Sequence, residues 1–490
     1  MSLEILFEPA LAAALGSGVL IGIVVGAVPG LTATLAISLL LPVTFHLPAT
    51  QAVVMMTGIF TGGIYGGSIA AITVGIPGAP ASAMTVLDGY TMARGRGAGI
   101  AIGLATFSSF VGGMVGGIVL LLCAPQIAAL ALRFGSPEMF ALIVLALVAV
   151  ATVNPDQLAK GTAATVIGLM LSTVGIDGLV PVPRFTFGAA ALLVGVPLIP
   201  VVIGLFAVAE LLHQVGEPDA GRRAVAGIAR GGRGDSWRRA AREVGWWTFL
   251  ESSLIGTAVG ALPGAGAAMA AFLAYTAAKR RSAHPERFGQ GDPAGIVAPE
   301  AANNAMTGGA FIPMLALGIP GDAVTAVILG GLIVHGITPG PQLFTDAGGL
   351  VRSLMAAYFL SYVVILAVGL GLLPVFARIA TVPRAGIFPA VAALAIVAAF
   401  ASERTVFAME LTAILGVVGF VLRRFGYPVI PVLLGLILGP MLEANLRRSL
   451  ILSDGDPWVF LSSPVSLALL MLAAVLPWLI RRTTRGPVEG

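Results

Sequence analysis

Gly26-Ala27-Val28-Pro29-Gly30 interrupts an apolar run that begins near Ile21, and Gly260-Ala261-Leu262-Pro263-Gly264 interrupts a second run at an offset of 234 residues. Between Ile21–Ala36 and Ile255–Ala270, nine of sixteen positions are identical. Proline removes a backbone donor and disturbs the preceding turn, while glycine admits conformations closed to other residues. Within a bilayer each unpaired backbone group costs several kcal/mol, so a broken helix persists only where protein or a water-filled cavity satisfies it. Two breaks in corresponding halves of an apolar chain are the sequence mark of a transport site at the bilayer midplane.

The surrounding composition is that of a membrane protein. The 490-residue chain is 58% hydrophobic and 10% charged, where a soluble protein carries about 25% charged residues; its mean hydropathy is +1.00. Gly97–Cys123, Phe187–Leu212 and Ser463–Ile480 are each long enough to cross a hydrocarbon core and hold no charge except Glu210. The expected fold is an all-α polytopic membrane protein with about 11 to 13 transmembrane helices, allowing about 20 residues per crossing, plus broken or re-entrant helices. The 64 glycines and 32 prolines exceed what straight spans need and mark close packing or breaks. The single Cys123 excludes an intrachain disulfide, and His46, His213, His284 and His335 lie too far apart in sequence for a ligand motif. Met1–Pro9 carries Glu4 and Glu8 but no Lys or Arg, so the first apolar stretch is expected to remain in the mature protein.

The net charge of +4 reflects topology. Arg222, Arg223, Arg230, Arg233, Arg238, Arg239 and Arg242 share one segment, Lys279, Arg280, Arg281 and Arg287 another, and Arg481, Arg482 and Arg485 the C-terminus. These are cytoplasmic markers under the positive-inside rule. Nucleic acid is not an expected partner, since the basic segments lack interleaved aromatics apart from Trp237.

A second element also occurs twice: Gly66-Gly67 before Gly75-Ile76-Pro77-Gly78, and Gly308-Gly309 before Gly318-Ile319-Pro320-Gly321, at an offset of 243. Internal duplication explains both pairs. The expected organisation is a first membrane repeat (1–212), an Arg-rich cytoplasmic linker (213–244), a second membrane repeat (245–445) and a C-terminal segment with a last transmembrane helix (446–490). Phe45–Gln51 has no Lys or Arg, whereas its counterpart Lys279–Arg287 has four; Arg94 and Arg96 follow the first Ile-Pro-Gly, whereas Gly336–Gly349 has none. Basic and non-basic loops therefore swap between the copies, as inverted-topology repeats require.

Helices restarting after these breaks would present free N–H groups and a partial positive charge to a carboxylate. Pro29, Gly30, Pro77, Gly78, Pro263, Gly264, Gly266, Pro320 and Gly321 are the backbone candidates, with the hydroxyls of Thr32, Thr34 and Ser68 beside them. The alternative for one isolated copy is a proline kink with close glycine packing. Glu300, Asn303 and Asn304 form the most polar membrane-facing run; Glu300 and Asn304 share a helix face, where their oxygens can converge on a cation or proton. Asp88, Asp322 and Thr325 complete the candidates for a coupling ion or a gate, because intramembrane carboxylates are costly and functional by default. A capping role competes for Asp88, and interhelical hydrogen bonding competes for the asparagines. No nucleophile–base pair and no phosphate-binding Walker loop occurs, so neither hydrolysis nor ATP-driven transport by this chain alone is expected.

Gly26–Thr34, Tyr65-Gly66-Gly67-Ser68, Pro77-Gly78 and Leu87-Asp88-Gly89-Tyr90 resemble the first half of the TctA family, the large membrane subunit of the tripartite tricarboxylate transporters. Ala298-Pro299-Glu300-Ala301-Ala302-Asn303-Asn304, Leu317–Gly321, His335-Gly336 and Pro339-Gly340-Pro341 resemble its second half, so the likeness spans about residues 15–445. It implies secondary active uptake of di- or tricarboxylates across the bacterial inner membrane, coupled to a Na⁺ or H⁺ gradient. It further implies a periplasmic TctC-like binding protein and a small TctB-like membrane subunit as partners, with no other cofactor and no enzymatic activity. Gly75 stands where many members of that family have asparagine. The competing readings are an anion channel and an intramembrane enzyme.

Overall fold

The computed structural model describes residues 8–152, 157–215, 236–372, 375 and 384–484. Glu4 at the N-terminus, Arg222, Arg223, Arg230 and Arg233 of the linker, and Arg485 lie outside the described residues. In chain order the helices are α1 (Pro9–Ala27), α2 (Ala33–Thr44), α3 (Ala49–Val74), α4 (Ala83–Met92), α5 (Ala98–Ala131), α6 (Ser136–Ala151), α7 (Leu158–Ser172), α8 (Leu198–Val215, π-helical over Ile203–Val208), α9 (Ser236–Val244), α10 (Trp246–Gly260), α11 (Gly266–Arg281), α12 (Ala294–Leu317), α13 (Ala323–Val334), α14 (Leu343–Asp346), α15 (Gly348–Gly371), α16 (Arg384–Glu403), α17 (Val406–Arg424), α18 (Ile430–Leu452), α19 (Val459–Ser462) and α20 (Pro464–Thr484). Two-residue strands, β1 (Gly175–Ile176) and β2 (Pro183–Arg184), pair antiparallel with Gly175 opposite Arg184.

Among the described residues, seven helices are long and apolar enough to cross a membrane, and six shorter apolar helices accompany them. The expected 11 to 13 crossings are not all long helices, because the Pro-Gly breaks cut some short. Thus α2 and α13, each following a break, have only 12 residues. The 24-residue α12 is almost wholly buried and carries Glu300, Asn303 and Asn304, so its surface suits a protein interior rather than lipid.

The chain packs as two compact units. One comprises the chain to Gln126 with His213–Ala398, the other Ile127–Leu212 with the chain from Ala399. Each unit therefore draws on both halves of the sequence.

In the first unit, glycines at four-residue spacing bring α1 onto α3. Gly18, Gly22 and Gly26 face the carbonyls of Met55, Ile59 and Gly63, while Gly58, Gly62 and Gly66 face those of Leu15, Val19 and Ile23; a Cβ at any of them would strike backbone. The same contacts recur between α10 and α12. Gly256 and Gly260 face the carbonyls of Ala302 and Met306, and Gly309 faces that of Thr257. Each pair reproduces its counterpart at the two sequence offsets, 234 and 243, so the repeat is a repeat of packing as well as of sequence. Both α3 and α12 end on a left-handed glycine, Gly75 (φ 71°) and Gly318 (φ 72°), which turns the chain into Ile-Pro-Gly.

The breaks pair within each half. The Gly30 N–H donates to the Gly78 carbonyl (3.2 Å), and the Gly264 N–H donates to the Gly321 carbonyl (2.7 Å). Across the halves, Thr44 Oγ1 lies 3.3 Å from His335 Nε2, and Arg96 lines one polar cleft with Arg281 and Arg287.

In the second unit α7 meets α18 through Gly168 and Gly435, while Gly204 of α8 and Gly416 of α17 bring those helices together. The β1–β2 hairpin is pinned by charge: Arg184 bonds Glu443 (2.7 and 3.1 Å) and Asp177 (3.0 Å), and Arg447 bonds Asp177 (2.6 Å) and Glu443 (3.0 Å). Asp177 also accepts the N–H groups of Val180 and Leu179, and these bonds together with Arg447 hold its carboxyl well below the usual range.

Gly260→Val places a branched side chain against the Met306 carbonyl. It is expected to destabilise the protein by about 1–3 kcal/mol, the usual cost of overpacking, read as a lowered thermal midpoint in detergent relative to the exposed control Gly95→Val.

Candidate functional site

The centre of the first unit is a polar cluster around Glu300. Pro299 lies inside α12, and the fully buried Glu300 follows it. Ser68 of α3 (2.6 Å) and Thr85 of α4 (2.5 Å) donate their hydroxyls to Oε1, and Ser109 of α5 (3.1 Å) donates to Oε2. Asn304 Nδ2, one turn along α12, donates to Ser109 Oγ (2.9 Å) and to the Glu300 carbonyl (3.0 Å). Three helices from the first half thus converge on one carboxylate from the second. Gly112 and Gly116 make this possible, since they admit α5 against the carbonyls of Ala301 and Ala305.

The carboxylate has hydroxyl partners but no cationic one: among the described residues no basic side chain pairs with it. Beside it, Asn303 is fully buried and neither its Nδ2 nor its Oδ1 has a partner; Asn304 Oδ1 and Ser82 Oγ are likewise unpartnered. Ser82 borders Gly67, where a Cβ would stand 2.7 Å from its Oγ, and it precedes Thr85, a Glu300 donor, at the start of α4. Below Asn304, Thr307 Oγ1 lies 2.9 Å from both the Tyr358 and the Tyr362 hydroxyl, and Tyr362 also donates to the Asn304 carbonyl (3.0 Å). Among the described residues no three His, Cys, Asp or Glu side chains come together.

The other sequence candidates take different places. The amides of Gly30 and Gly264 are engaged as described, and Gly78 N–H donates to the Gly67 carbonyl (3.2 Å). Gln214 Nε2 donates to the Gly30 carbonyl. Pro29 is buried and Pro77 half-buried in the first half; Pro263 is half-buried and Pro320 buried in the second. Gly266 opens α11 at φ 68° with open space around it. Thr32 caps α2 by accepting the Leu35 N–H (3.3 Å), and Thr34 is buried in the first turn with its carbonyl accepting from Ser38. Asp322 and Thr325 cap α13 reciprocally: Thr325 N–H and Oγ1 donate to Asp322 Oδ1 (2.8 and 2.7 Å), and Asp322 N–H donates to Thr325 Oγ1 (2.9 Å). Ser68, read from the sequence beside the anion candidates, gives its hydroxyl to Glu300.

Asp88 is a clamp. Its Oδ1 accepts the N–H groups of Gly289, Gly291 and Asp292 (2.9, 2.9 and 2.8 Å), and its Oδ2 accepts Gly289 N–H (3.0 Å) and the Tyr275 hydroxyl (2.9 Å). Gly289 (φ 87°) and Gly291 (φ 90°) supply the left-handed backbone that aims successive amides at one carboxylate. The α11–α12 loop is thereby tied to α4.

Thr85, Ser109, Ser82, Tyr275, Tyr358 and Tyr362 were not singled out by sequence. The Ser108-Ser109, Gly112-Gly113, Gly116-Gly117 stripe at four-residue spacing was the available signal for Ser109.

Apolar helices long enough to cross a membrane, paired helix breaks and a buried polar centre define a multi-pass helical membrane protein. Residues 12–434 match the model of the tripartite tricarboxylate transporter TctA family, and the chain belongs to that family. It is 37% identical over 456 residues, covering 92% of this chain and 89% of the relative, to an uncharacterized 52.8 kDa protein of the TAR-I ttuC′ 3′ region of Agrobacterium vitis. A second protein of that organism, uncharacterized and from the TAR-II ttuC′ 3′ region, is 37% identical over 220 residues, 45% of this chain and 91% of the relative. No solved structure matches the chain.

Asp88→Asn removes the charge that three backbone amides share. Hydrogen exchange across residues 284–293 should rise, with a stability loss of about 1.5–3 kcal/mol, the scale of hydrogen bonds to a charged group. Exchange unchanged from wild type would contradict the clamp.

Proposed function

We propose that this chain is the translocating subunit of a secondary active transporter that imports di- or tricarboxylates across the bacterial inner membrane, with the coupling cation held at Glu300, Asn303 and Asn304. A TctC-like periplasmic protein delivers the substrate and a TctB-like small membrane subunit completes the translocator. The two halves act as inverted-topology repeats. The loops that meet support this: Arg96 of the first half lies with Arg281 and Arg287 of the second, and Thr44 with His335, each joining opposite loops of the two copies.

The observation that carries the reading is the Glu300 carboxylate, fully buried, bound by three neutral hydroxyls and, among the described residues, paired with no base. A charge in that position costs several kcal/mol unless a cation or proton joins it. A multiply charged carboxylate substrate faces the same cost, and bringing a cation along lowers it. The unpartnered oxygens of Asn303, Asn304 and Ser82 are ligands that a sodium ion uses and that protonation of Glu300 leaves idle, which favours sodium. The anion is assigned to the helix starts that follow the Pro-Gly breaks, where the first-turn amides of α2 and α11 and the hydroxyls of Thr32 and Thr34 adjoin Pro29 and Pro263. The Gly30, Gly78 and Gly264 amides hold the breaks in place, since carbonyls already occupy them.

The test is accumulation of radiolabelled carboxylate in proteoliposomes holding this chain with its small membrane subunit, supplied with the binding protein, under an imposed sodium or proton gradient. Uphill accumulation that follows sodium is expected; equilibration without accumulation would identify a channel. Glu300→Gln should lower gradient-driven uptake by roughly tenfold or more, in line with about 1.5–3 kcal/mol for a charged hydrogen-bonding group. Asn303→Ala should raise the sodium concentration for half-maximal uptake without lowering the thermal midpoint measured in sodium-free buffer, because the Asn303 side chain bonds nothing within the protein. Unaltered sodium dependence in both variants would contradict the assignment.

A further inference from the structure

On the basic end of the first unit, a cleft of about 430 Å³ lies between α5, α9 and α10. Phe107, Trp237, Trp246 and Phe249 form its wall. Phe107 lies 5.5 Å from Trp237, 6.4 Å from Trp246 in a stacked arrangement, and 5.8 Å from Phe249, while Trp246 meets Phe249 edge-on at 5.2 Å. Gly103 leaves room for Trp237, since a Cβ there would stand 2.9 Å from the indole. Trp246 stays 67% exposed, so this wall is open to whatever surrounds the protein.

The rest of the lining is cationic. Arg238 and Arg242 are one helical turn apart on α9 and both exposed, with Arg238 stacked 5.5 Å over the Trp237 ring. The helix is amphipathic in the sense of an interfacial helix: Arg238, Arg239, Arg242 and Glu243 face out, while Ala240 is buried in the hydrophobic cluster that includes Ala101, Ile102, Ile296 and Val297. Exposed tryptophan is enriched at the headgroup level, and clustered arginine marks the cytoplasmic leaflet, where anionic lipids give a negative surface.

We propose that this cleft binds one anionic phospholipid of the cytoplasmic leaflet. The phosphodiester sits between the Arg238 and Arg242 guanidinium groups, whose planar forks suit phosphate oxygens, and the glycerol end of the acyl chains lies along Phe107, Trp246 and Phe249. Net charge separates this ligand from a zwitterionic lipid, whose ammonium group offsets the phosphate. The contact bears on the centre of the protein, because Ala240 shares one buried hydrophobic cluster with Ile296 and Val297, about one turn before Glu300.

The full chain with Trp247→Phe, Trp458→Phe and Trp478→Phe retains only Trp237 and Trp246 as tryptophan reporters. Reconstituted in phosphatidylcholine vesicles, it is titrated with dibrominated phosphatidylglycerol or dibrominated phosphatidylcholine, and tryptophan quenching is followed. Half-quenching is expected at a mole fraction lower by about fivefold or more for the anionic lipid, given the contribution of each arginine near an anionic surface. The preference should vanish in Arg238→Gln/Arg242→Gln and persist in Arg238→Lys/Arg242→Lys. Equal quenching by the two lipids in the parent, or an undiminished preference in the glutamine variant, would overturn the proposal. Loss of the preference on adding inorganic phosphate would also overturn it, in favour of a site for a free anion.

Discussion

A helix broken inside hydrocarbon must find partners for the backbone groups that the break releases, and this constraint organises the first unit. The Gly30 amide is satisfied by the Gly78 carbonyl and the Gly264 amide by the Gly321 carbonyl, so each half closes one Pro-Gly break on the other. That closure requires α1 to touch α3 and α10 to touch α12 at backbone distance, which the glycine stripes permit. With α3 and α12 fixed in this way, Ser68 and Glu300 come within hydrogen-bonding distance of each other.

The polar centre has an unusual balance. Its donors are hydroxyls from three separate helices, its acceptor is one carboxylate, and an adjacent asparagine is left without any bond. A centre built only for stability would not leave a fully buried amide side chain unpaired, because each such group costs about 1–3 kcal/mol. Functional sites are where such costs persist. Asp88 shows the contrast: its two oxygens take five hydrogen bonds from a loop and a tyrosine, which is how a buried carboxylate looks when its task is to hold structure.

Much of this was legible in the sequence because it is written locally. The Pro-Gly and Ile-Pro-Gly elements, their duplication and the shared face of Glu300 and Asn304 all follow from spacing along a helix. The partners of Glu300 were not legible in the same way. Thr85 and Ser109 are separated from it by 215 and 191 residues, and their serine- and threonine-rich surroundings carry many hydroxyls that bond only their own helix. Sequence likewise could not divide the acidic residues by role: Asp322 and Thr325 turned out to cap α13, and Asp88 to clamp a loop whose glycines lie about 200 positions away. The partners of the break amides are also long-range: Gly30 N–H reaches the Gly78 carbonyl and Gly264 N–H the Gly321 carbonyl, as a backbone donor away from water requires.

The claim at the centre of this account is that Glu300 with its neighbouring unpartnered oxygens takes up a cation. Thermal unfolding of the purified protein in sodium chloride against choline chloride of equal ionic strength tests it without reference to substrate or partners. A ligand that binds the folded state alone raises the midpoint with its concentration. Sodium should therefore raise the wild-type midpoint in a saturable manner and leave that of Glu300→Gln unmoved. An identical sodium-dependent rise in both proteins would contradict the assignment.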